Sequence, residues 1–502
     1  MKNLPFLAML SGALMMVANP VLASPFGNWQ PLPSRGPFSQ LDGAVLSGTA
    51  GTLSGQRRLE AGTDVSTPFL DWWNGKTMLG GYGNFGFDTR RLLADRGVVM
   101  QGFYQGAFFG VLDSEKGSRG FWDQQLTFGP EIHLGKLLDN KSLDGVFAFG
   151  LFRYRDSAQS SNPNNFVEAQ SMFNPSNWQS GTQFRVLAFG VEAGTAGNLP
   201  IKDQVVVRGG WLQPQKDFID QPLSKLFLNN AVNSAKGVGG NIPFSSSFST
   251  WGGVLRIALH ETVYVKNGLY MSFPQATAST NHGLAYQGFG PDTSRNGLFY
   301  IGETGWTPTF TESKLPGKYA FGGYFFGTPA DLTTTWNGSS EPGQYGFYFQ
   351  GDQMLYREPS VPGAVSTAGN AVVDGKTLAS PVSMEKPKLS QQGLSTFNLL
   401  TMAPGYARAN NFPFYFQSGL VYTGFLPTRD QDLTMASIGY GAYQGGVTNP
   451  SKSYTAVIEL GYRYQINGWA YAQPFFQYFA RPNGTPEVAN AAVLGLLTGL
   501  VF

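Results

Sequence analysis

The feature that most constrains the fold is a two-residue alternation of apolar and polar side chains, clearest at residues 454–466 (YTAVIELGYRYQI). One set of alternate positions carries Tyr, Ala, Ile and Leu, whereas the other includes Glu459 and Arg463. Successive side chains of a β-strand point to opposite faces, so this segment has one apolar and one largely polar face. A strand that separates lipid from a water-filled lumen has this pattern.

Comparable segments recur along the chain. We predict further strands at 98–109, 126–134, 146–155, 184–194, 205–212, 253–265, 269–273, 297–306, 319–327, 344–354, 414–425, 434–443, 469–479 and 491–502. Asn467-Gly468 and Lys266-Asn267-Gly268 are typical of hairpin turns, and Pro474 predicts a bulge or irregularity in its strand. The polar stretches 213–250 and 357–394 are assigned to loops at the barrel ends. These elements predict an all-β fold, a transmembrane antiparallel β-barrel with long outer loops.

Composition supports this class and excludes others. Charged residues make up 13% of the chain, about half of the roughly 25% typical of soluble domains. No apolar run of about 18 residues follows Leu22, so the sequence excludes helical membrane spans. A net charge of +2 gives no basic excess for nucleic acid. There is no cysteine, and His133, His260 and His282 share no short spacing, so we expect neither a metal site nor a cofactor.

The two ends of the chain indicate export to a bacterial outer membrane. Residues 1–23 have the charge, apolar run and small-residue cleavage pattern of a signal peptide. Residues 24–68 form a Pro-, Gly- and Ser-rich extension, and residues 69–502 are assigned to the barrel. Phe502 ends an amphipathic final strand, which is the usual signal for the barrel-assembly machinery. The expected surroundings of the barrel are outer-membrane lipids.

Several segments together resemble the carbohydrate-selective porin family, OprB. They include GFDTRRLLADRGV (86–98), VVVRGGWLQP (205–214), YGFYFQGDQMLYRE (345–358), FQSGLVYTGFLPTRDQD (416–432) and IELGYRYQINGWAYAQPFFQYFARPNG (458–484). The resemblance extends from about residue 70 to the C-terminus. DWWNGK at 71–76 departs from it, because a lysine stands where the family pattern has arginine. The resemblance implies a 16-stranded barrel with a pore narrowed to pass sugars, whereas length alone would also allow 18 strands.

A channel that prefers sugars needs hydrogen-bonding side chains in a narrow lumen, and the planar fork of arginine suits adjacent hydroxyl groups. Alternation turns several charged side chains away from the apolar faces, and two glutamates lie in family-like strand motifs. The candidate sugar-contacting residues are Arg153, Arg155, Glu192, Arg208, Glu303, Glu459 and Arg463. The alternative is that they pair with one another across the lumen and only solvate it.

Tryptophans near strand ends are more typical of interfacial anchors than of sugar platforms. This applies to Trp72, Trp73, Trp122, Trp251 and Trp306. Trp211 falls on the face opposite Arg208 and therefore belongs to the lipid-facing girdle, unless a bulge at Gly209-Gly210 re-aims it.

The leading hypothesis is a passive porin that admits small carbohydrates into the periplasm. A porin for another small solute on the same scaffold is the first alternative, because a fold does not fix a substrate. An outer-membrane barrel enzyme and a soluble secreted β-protein are further alternatives, and we expect no enzymatic activity. The preferred sugar and the oligomeric state, with a homo-oligomer among the alternatives, stay open.

Overall fold

The structure, a computed structural model, describes residues 93, 96–157, 163–168, 173–178, 183–194, 204–219, 221–234, 241, 249–272, 297–310, 315–327, 344–359, 392–404, 410, 412–443, 452–467 and 469–501. The expected signal peptide and N-terminal extension lie outside these residues, as do Trp72, Trp73, His282 and Phe502.

The described strands form one antiparallel sheet that closes on itself, because β1 pairs with both β2 and β17. Sixteen strands form the wall of the barrel, which confirms the predicted fold and strand number. Their bounds, together with those of the short β9, are β1 Val98–Asp113, β2 Arg119–His133, β3 Val146–Ser157, β4 Gln183–Gly194, β5 Val205–Leu212, β6 Thr250–His260, β7 Val263–Ser272, β8 Gly297–Trp306, β9 Thr309–Phe310, β10 Leu315–Phe326, β11 Gln344–Arg357, β12 Gly393–Met402, β13 Phe414–Thr423, β14 Leu433–Ala442, β15 Tyr454–Gln465, β16 Ala470–Ala480 and β17 Ala491–Val501. The two-residue β9 pairs only with the start of β10.

The helices in the described part of the chain are short. They are α1 Leu134–Leu137, α2 Pro163–Val167, α3 Pro214–Phe218 and α4 Asn230–Asn233, with 3-10 turns at Lys141–Leu143 and Pro222–Leu226. Over the described residues, no helix combines the length and apolarity needed to cross a membrane.

The two faces of the wall differ as the sequence alternation predicts. Outward-facing Phe321 and Phe347 are 61% and 51% exposed, and their rings stack at a centroid distance of 6.3 Å. Inward-facing Gln477 is fully buried, and Glu459 is only 1% exposed. An apolar outer face suits lipid, whereas polar groups on the inner face satisfy one another in the lumen.

Tyrosine rings on the inner face lie over glycines of neighbouring strands. The chain is rich in both residue types, and this packing uses them together. A Cβ atom at Gly305 would lie 2.0 Å from Cζ of Tyr264, and one at Gly499 would lie 2.2 Å from Cζ of Tyr471. Glycine thus supplies the space into which a large ring packs across the pleated surface.

At one end of the barrel, called the turn end here, several connections are short, although residues 358–392, which join β11 to β12, also connect at this end. The turn end holds the start of β1, the end of β17, the two-residue turn Glu261–Thr262 and the ends of β15 and β16 that face each other. At the opposite end, here called the loop end, the chain leaves β3 and returns at β4, and leaves β5 and returns at β6. In barrels of this type the short turns face the periplasm.

Two predictions about strand boundaries were wrong. Lys266-Asn267-Gly268 is not a hairpin turn, because β7 runs through it and the chain turns at Glu261–Thr262. A Cβ atom at Gly268 would lie 2.6 Å from the Phe218 ring, so this glycine makes room for packing. The sequence also missed β12, whose first residues fell within the predicted loop 357–394.

Pro474 interrupts its ladder without shifting the register. The pairing between β15 and β16 is broken between Gly461 and Tyr464, yet the partners on both sides keep the same register. Proline lacks the N–H group that the ladder requires, so an interruption without an inserted residue is the result.

Trp211 lies on the predicted face of β5, but its side chain is buried rather than exposed. The register of β5 is unbroken across Gly209 and Gly210, so no bulge re-aims the side chain. Trp211 is fully buried beside Phe189 and Trp251, with its ring centroid 5.6 Å from that of Trp251. It is therefore part of an aromatic cluster rather than an exposed girdle residue, unlike Trp122 and Trp306, which are 49% and 45% exposed.

Candidate functional site

Residues 213–219 and 221–234, together called the crossing segment here, run from β5 across the lumen to the opposite wall. Sequence analysis placed this stretch in a loop at the barrel end, but its side chains and backbone bond to the inner wall. At its start, Asp217 of α3 receives a 2.7 Å hydrogen bond from Arg208 of β5 and a 3.0 Å bond from the hydroxyl of Tyr270. The backbone carbonyl of Phe218 accepts a 2.8 Å bond from Gln350 of β11.

The far half of the crossing segment is fixed to strands on the other side of the barrel. Both oxygens of Glu459 accept main-chain N–H groups, from Leu228 and from Asn229, each at 2.8 Å. Gln473 of β16 donates to the carbonyl of Leu226 at 2.9 Å, and Tyr415 of β13 donates to a carbonyl of α4 at the same distance. Short helices expose unpaired backbone groups, and here the wall supplies their partners.

A second stretch, residues 173–178 from the β3–β4 connection, supports the crossing segment. The Asn230 N–H donates to the carbonyl of Asn174 at 2.9 Å, and the Asn229 side chain donates to the carbonyl of Phe173 at 3.2 Å. Gln477 of β16 in turn donates to the carbonyl of Pro175 at 3.1 Å. Two connections from the loop end therefore pack against each other inside the barrel and narrow it.

Charged side chains meet where the crossing segment leaves β5. Arg208 donates through Nε to Glu192 at 2.8 Å and lies between this carboxylate and Asp217. On the neighbouring strands, Lys266 forms a 2.7 Å ion pair with Glu303. We call these five residues the paired cluster, because each cation contacts at least one carboxylate.

Glu303 is the most highly coordinated member of the paired cluster. Besides Lys266, it accepts hydrogen bonds from the hydroxyl groups of Tyr264 at 3.0 Å and Tyr348 at 2.8 Å, and from Gln350 at 3.1 Å. It is 4% exposed. A buried carboxylate is tolerated when it is paired and hydrogen-bonded in this way, and its neighbours become fixed in place.

A second group of charges lies on β3 and β4. Arg153 and Arg155 are alternate residues of β3, and Arg153 is directly opposite Arg185 of β4. All three side chains are at most 7% exposed. We call them the arginine row, and Asp123 of β2 is the carboxylate that acts electrostatically on Arg155.

A chain of neutral groups extends from the arginine row around the wall. Arg155 donates to Gln125 at 3.2 Å, Gln125 donates to Gln105 at 2.7 Å, and Gln105 donates to the Tyr471 hydroxyl at 2.6 Å. The guanidinium of Arg463 lies 4.1 Å from the centroid of the Tyr471 ring. These amides, hydroxyls and guanidinium groups are the side chains that can exchange hydrogen bonds with a polyhydroxylated solute.

All seven candidate residues from the sequence face the interior, but they fall into separate groups. Glu192, Arg208 and Glu303 belong to the paired cluster, and Arg153 and Arg155 to the arginine row. Glu459 binds the crossing segment, whereas Arg463 donates to Gln473 at 2.8 Å. The hydrogen bonds and ion pair found for Glu192 are with Arg208.

Sequence reasoning missed several members of these groups. Asp217 lies in a short helix without a periodic pattern, and Lys266 was assigned to a turn. Arg185 faces inward at an odd position, whereas Glu192 does so at an even one. The register shift between β3 and β4 opposite Leu187 accounts for this change, which alternation alone could not reveal.

Among the described residues, no group of three or more histidines and carboxylates could hold a metal ion. The paired cluster contains both acids and bases, but each carboxylate is occupied by cationic or hydroxyl partners. The chemistry that the geometry offers is therefore hydrogen bonding and charge pairing along a narrow lumen.

The comparisons with known proteins agree with this architecture. The family model described as carbohydrate-selective porin, OprB family, matches residues 159–502. A structure of Pseudomonas putida OprB, determined at high pH, aligns with a TM-score of 0.68 at 20% identity and covers 86% of this chain and 99% of that chain. The outer membrane channel DcaP of Acinetobacter baumannii aligns over 81% of this chain and 97% of its own at 9% identity, with a TM-score of 0.43. No curated protein sequence matched the chain.

The family match covers well over half of the chain and includes the crossing segment, the paired cluster and most of the barrel. It begins after the motif at 86–98 that contributed to the sequence resemblance, and the structural likeness at 20% identity independently supports the fold. The chain therefore belongs to the OprB family of carbohydrate-selective porins and is a channel of the bacterial outer membrane.

Proposed function

We propose that the chain is a passive channel, without enzymatic activity, in which small carbohydrates pass beside the crossing segment and contact the charged inner wall. The observation that carries this proposal is the fixation of the crossing segment to both sides of the lumen, through Asp217 at one end and Glu459 at the other. A segment held in this way sets a constant width for the passage.

The paired cluster supplies one set of sugar contacts in this proposal. A sugar hydroxyl both donates and accepts hydrogen bonds, so it can bridge Arg208 or Lys266 to a neighbouring carboxylate without a change in net charge. Because Glu192 and Glu303 already orient these cations, little side-chain freedom would be lost on contact. As a sugar moves along the wall, hydrogen bonds to these side chains replace the hydrogen bonds that the sugar loses to water.

The arginine row and the adjacent amides supply a second set of contacts. Arg153 and Arg155 present planar donor forks, whereas Gln125, Gln105 and the Tyr471 hydroxyl offer both donors and acceptors. Glu459 has a different role in this proposal. Its oxygens are occupied by the crossing segment, so it maintains the constriction rather than contacting sugar.

Liposome swelling with the purified protein tests this function. Monosaccharides should enter faster than neutral amino acids of similar size, and a trisaccharide should enter slowly. Replacing Lys266→Gln together with Glu303→Gln removes both charges of one pair, and it should reduce the advantage of monosaccharides. Glu487→Gln in the exposed β16–β17 connection is the matched control and should leave that advantage unchanged.

Equal swelling rates for sugars and size-matched amino acids in the wild-type protein would overturn the proposed contacts. That outcome favours a channel for another small solute on the same scaffold.

A further inference from the structure

A groove runs along β14 on the lipid-facing side of the wall, near the turn end. Its floor is formed by two small side chains, Thr434 and Ala436, at successive outward positions of the strand. Larger outward side chains of β13 and β15 lie opposite them on both sides; these are Leu420, Tyr422, Leu460 and Tyr462. The cavity, called the β14 groove here, has a volume of about 580 Å³. Pockets for small molecules typically measure about 300–1,000 Å³.

The β14 groove extends inward at an interruption of the strand ladder. Pairing between β15 and β16 is broken beside Pro474, and Gly461 has no side chain to fill the space. The lining therefore includes Met435 and Phe475, whose inward side chains are only 3% and 2% exposed. Met435 also packs in one cluster with Leu226 of the crossing segment. An apolar molecule in the groove therefore contacts the packing that supports the crossing segment from behind.

The turn end of the groove carries polar groups of both charges. On one side, the Tyr462 hydroxyl donates to Asp432, whose carboxylate is also bound by Arg429. The hydrogen bonds found for Arg429 use Nε and Nη2, and its side chain is 31% exposed, so Nη1 can donate to an acceptor outside the protein. On the other side, Tyr422 donates to Glu358 at 3.0 Å. Within the described part of the chain, no cation forms an ion pair with this carboxylate.

The position of these groups indicates what the groove holds. Phe425 and Tyr464, beside the mouth, are 59% and 44% exposed, and such aromatic side chains are typical of the membrane interface. The groove thus begins at the level of the lipid head groups and continues into the hydrocarbon layer. Its two sides are separated by two strand spacings, or about 10 Å. A fitting occupant has an apolar chain, an anionic acceptor for Arg429 and a cation for Glu358, and a zwitterionic phospholipid combines all three.

We propose that the β14 groove binds one phospholipid of the periplasmic leaflet. An acyl chain lies along the floor of the groove, the phosphate accepts a hydrogen bond from Arg429, and the ammonium group pairs with Glu358. The chain fills the interruption beside Pro474 and so stabilises the wall behind the crossing segment. Because the site lies on the outer surface, it does not depend on which solute passes through the lumen.

Lipid titrations of the purified, delipidated protein in detergent provide the first test. Phosphatidylethanolamine should raise the melting temperature until the effect saturates, and native mass spectrometry should then show one lipid retained per chain. Phosphatidylglycerol has the phosphate but no ammonium group, so it should bind more weakly. No stabilisation, or equal stabilisation by the two lipids, would overturn the proposal.

A variant that fills the groove localises the effect. Ala436→Phe places a ring on the floor of the groove, whereas Ala456→Phe adds the same ring on the outer face of β15 nearer the loop end. Only Ala436→Phe should lose both the retained lipid and the lipid-dependent rise in melting temperature. The same loss in both variants, or in neither, would show that lipid merely coats the wall and would overturn the proposal.

A second variant tests the head group without changing the groove. Glu358→Gln keeps an oxygen that can accept the Tyr422 hydroxyl bond, but it removes the charge. The half-saturating concentration of phosphatidylethanolamine should rise by about fivefold, as expected for one close charge pair in water. Asp139→Asn is the control, because Asp139 is an exposed carboxylate in another connection at the turn end. Equal effects of the two variants, or no effect of Glu358→Gln, would contradict the assigned head-group contacts.

The main competing occupant of the groove is a second copy of this chain. Native mass spectrometry distinguishes it directly, because a pair of chains and a chain with one lipid differ in mass. A dimer that retains no lipid and is dissociated by Ala436→Phe would assign the groove to a contact between copies and overturn the lipid site. A single chain that retains one lipid is the expected result.

Discussion

Glu459 of β15 accepts a 2.8 Å hydrogen bond from the backbone N–H of Leu228, a residue 231 positions earlier in the chain. The other oxygen of the same carboxylate accepts the N–H of Asn229. One wall residue therefore holds two consecutive peptide groups of the crossing segment inside the lumen. Because the crossing segment lies in the lumen, this contact helps to set the width of the passage.

Replacing Glu459→Gln should loosen the crossing segment. The amide group keeps one acceptor oxygen but presents an N–H₂ group to a backbone donor, so one of the two bonds is lost and a repulsive contact replaces it. Loss of a hydrogen bond to a charged group costs about 1.5–3 kcal/mol. Single-channel recordings should show a larger and noisier conductance than in the wild type. Glu487→Gln, at an exposed position, should give wild-type currents, and a quiet, unchanged conductance in Glu459→Gln would contradict the anchoring role.

Replacing Leu460→Arg should impair folding rather than conductance. Leu460 is the next residue along β15 and is 47% exposed on the outer face. A charge there costs about 2–4 kcal/mol if it lies near the bilayer midplane. The folded fraction, measured by heat-modifiable mobility on gels, should fall well below that of Leu460→Ile. Equal folded fractions would mean that this face does not contact lipid.

The contrast between these two neighbours shows what the sequence could predict. Alternation assigns Glu459 and Leu460 to opposite faces, because the period of a strand is fixed by backbone geometry. It does not identify the partner of Glu459, since Leu228 is brought opposite it only by barrel closure and by the entry of a long connection into the lumen. Sequence analysis therefore predicted that Glu459 faces the water-filled lumen, but it did not predict that Glu459 binds the crossing segment.

The incorrect turn at Lys266-Asn267-Gly268 has a similar origin. An Asn-Gly pair is typical of a tight turn, but here Asn267 accepts a 2.7 Å hydrogen bond from Tyr300 of β8, and Gly268 makes room for Phe218. Glycine is needed where two groups approach closely as well as where the chain reverses. Local sequence cannot distinguish these uses, because the approaching ring comes from a distant part of the chain.

Replacing Gly305→Ala should disturb the paired cluster without altering any charge. The added Cβ atom would lie 2.0 Å from Cζ of Tyr264, so the ring must move away from the carboxylate of Glu303, to which its hydroxyl is bonded at 3.0 Å. A lower melting temperature in detergent should result. Gly209→Ala is a matched control on β5, because its Cβ atom would have no neighbour closer than 4.0 Å. Equal melting temperatures for the two variants would contradict the packing argument.

Arg208 should tolerate lysine better than alanine. Arg208→Ala leaves the buried carboxylates of Glu192 and Asp217 without their shared cation, a change that typically costs about 3–5 kcal/mol. Arg208→Lys keeps the charge, but one ammonium group cannot reproduce the planar set of bonds to both carboxylates. The folded yield should therefore decrease from wild type to lysine to alanine. In swelling assays, the lysine variant should retain a reduced advantage for sugars over size-matched amino acids. A full wild-type advantage would mean that the planar guanidinium group of Arg208 is not needed.

The turn between β13 and β14 should make the barrel sensitive to acid. Burial by itself raises the pKa of Asp432, but hydrogen bonds from Arg429, from the Tyr462 hydroxyl and from the Gln465 N–H outweigh this effect and lower the pKa below its ordinary value. Arg429 also donates to the carbonyl of Gln465 at 2.7 Å, so the ionised carboxylate ties this turn to the end of β15.

A carboxyl group whose pKa is lower in the folded than in the unfolded protein stabilises the fold above its unfolded pKa. This stabilisation is lost as the pH falls through the folded value, because the group is then protonated in both states. Asp432→Asn should consequently lower the melting temperature at pH 7, and the difference from wild type should shrink steadily as the pH falls below about 4. Melting curves in detergent between pH 3 and pH 7 measure this, with Asp430→Asn in the same turn as the control. A difference that stays constant across this range would show that Asp432 stabilises the turn through its shape rather than its charge.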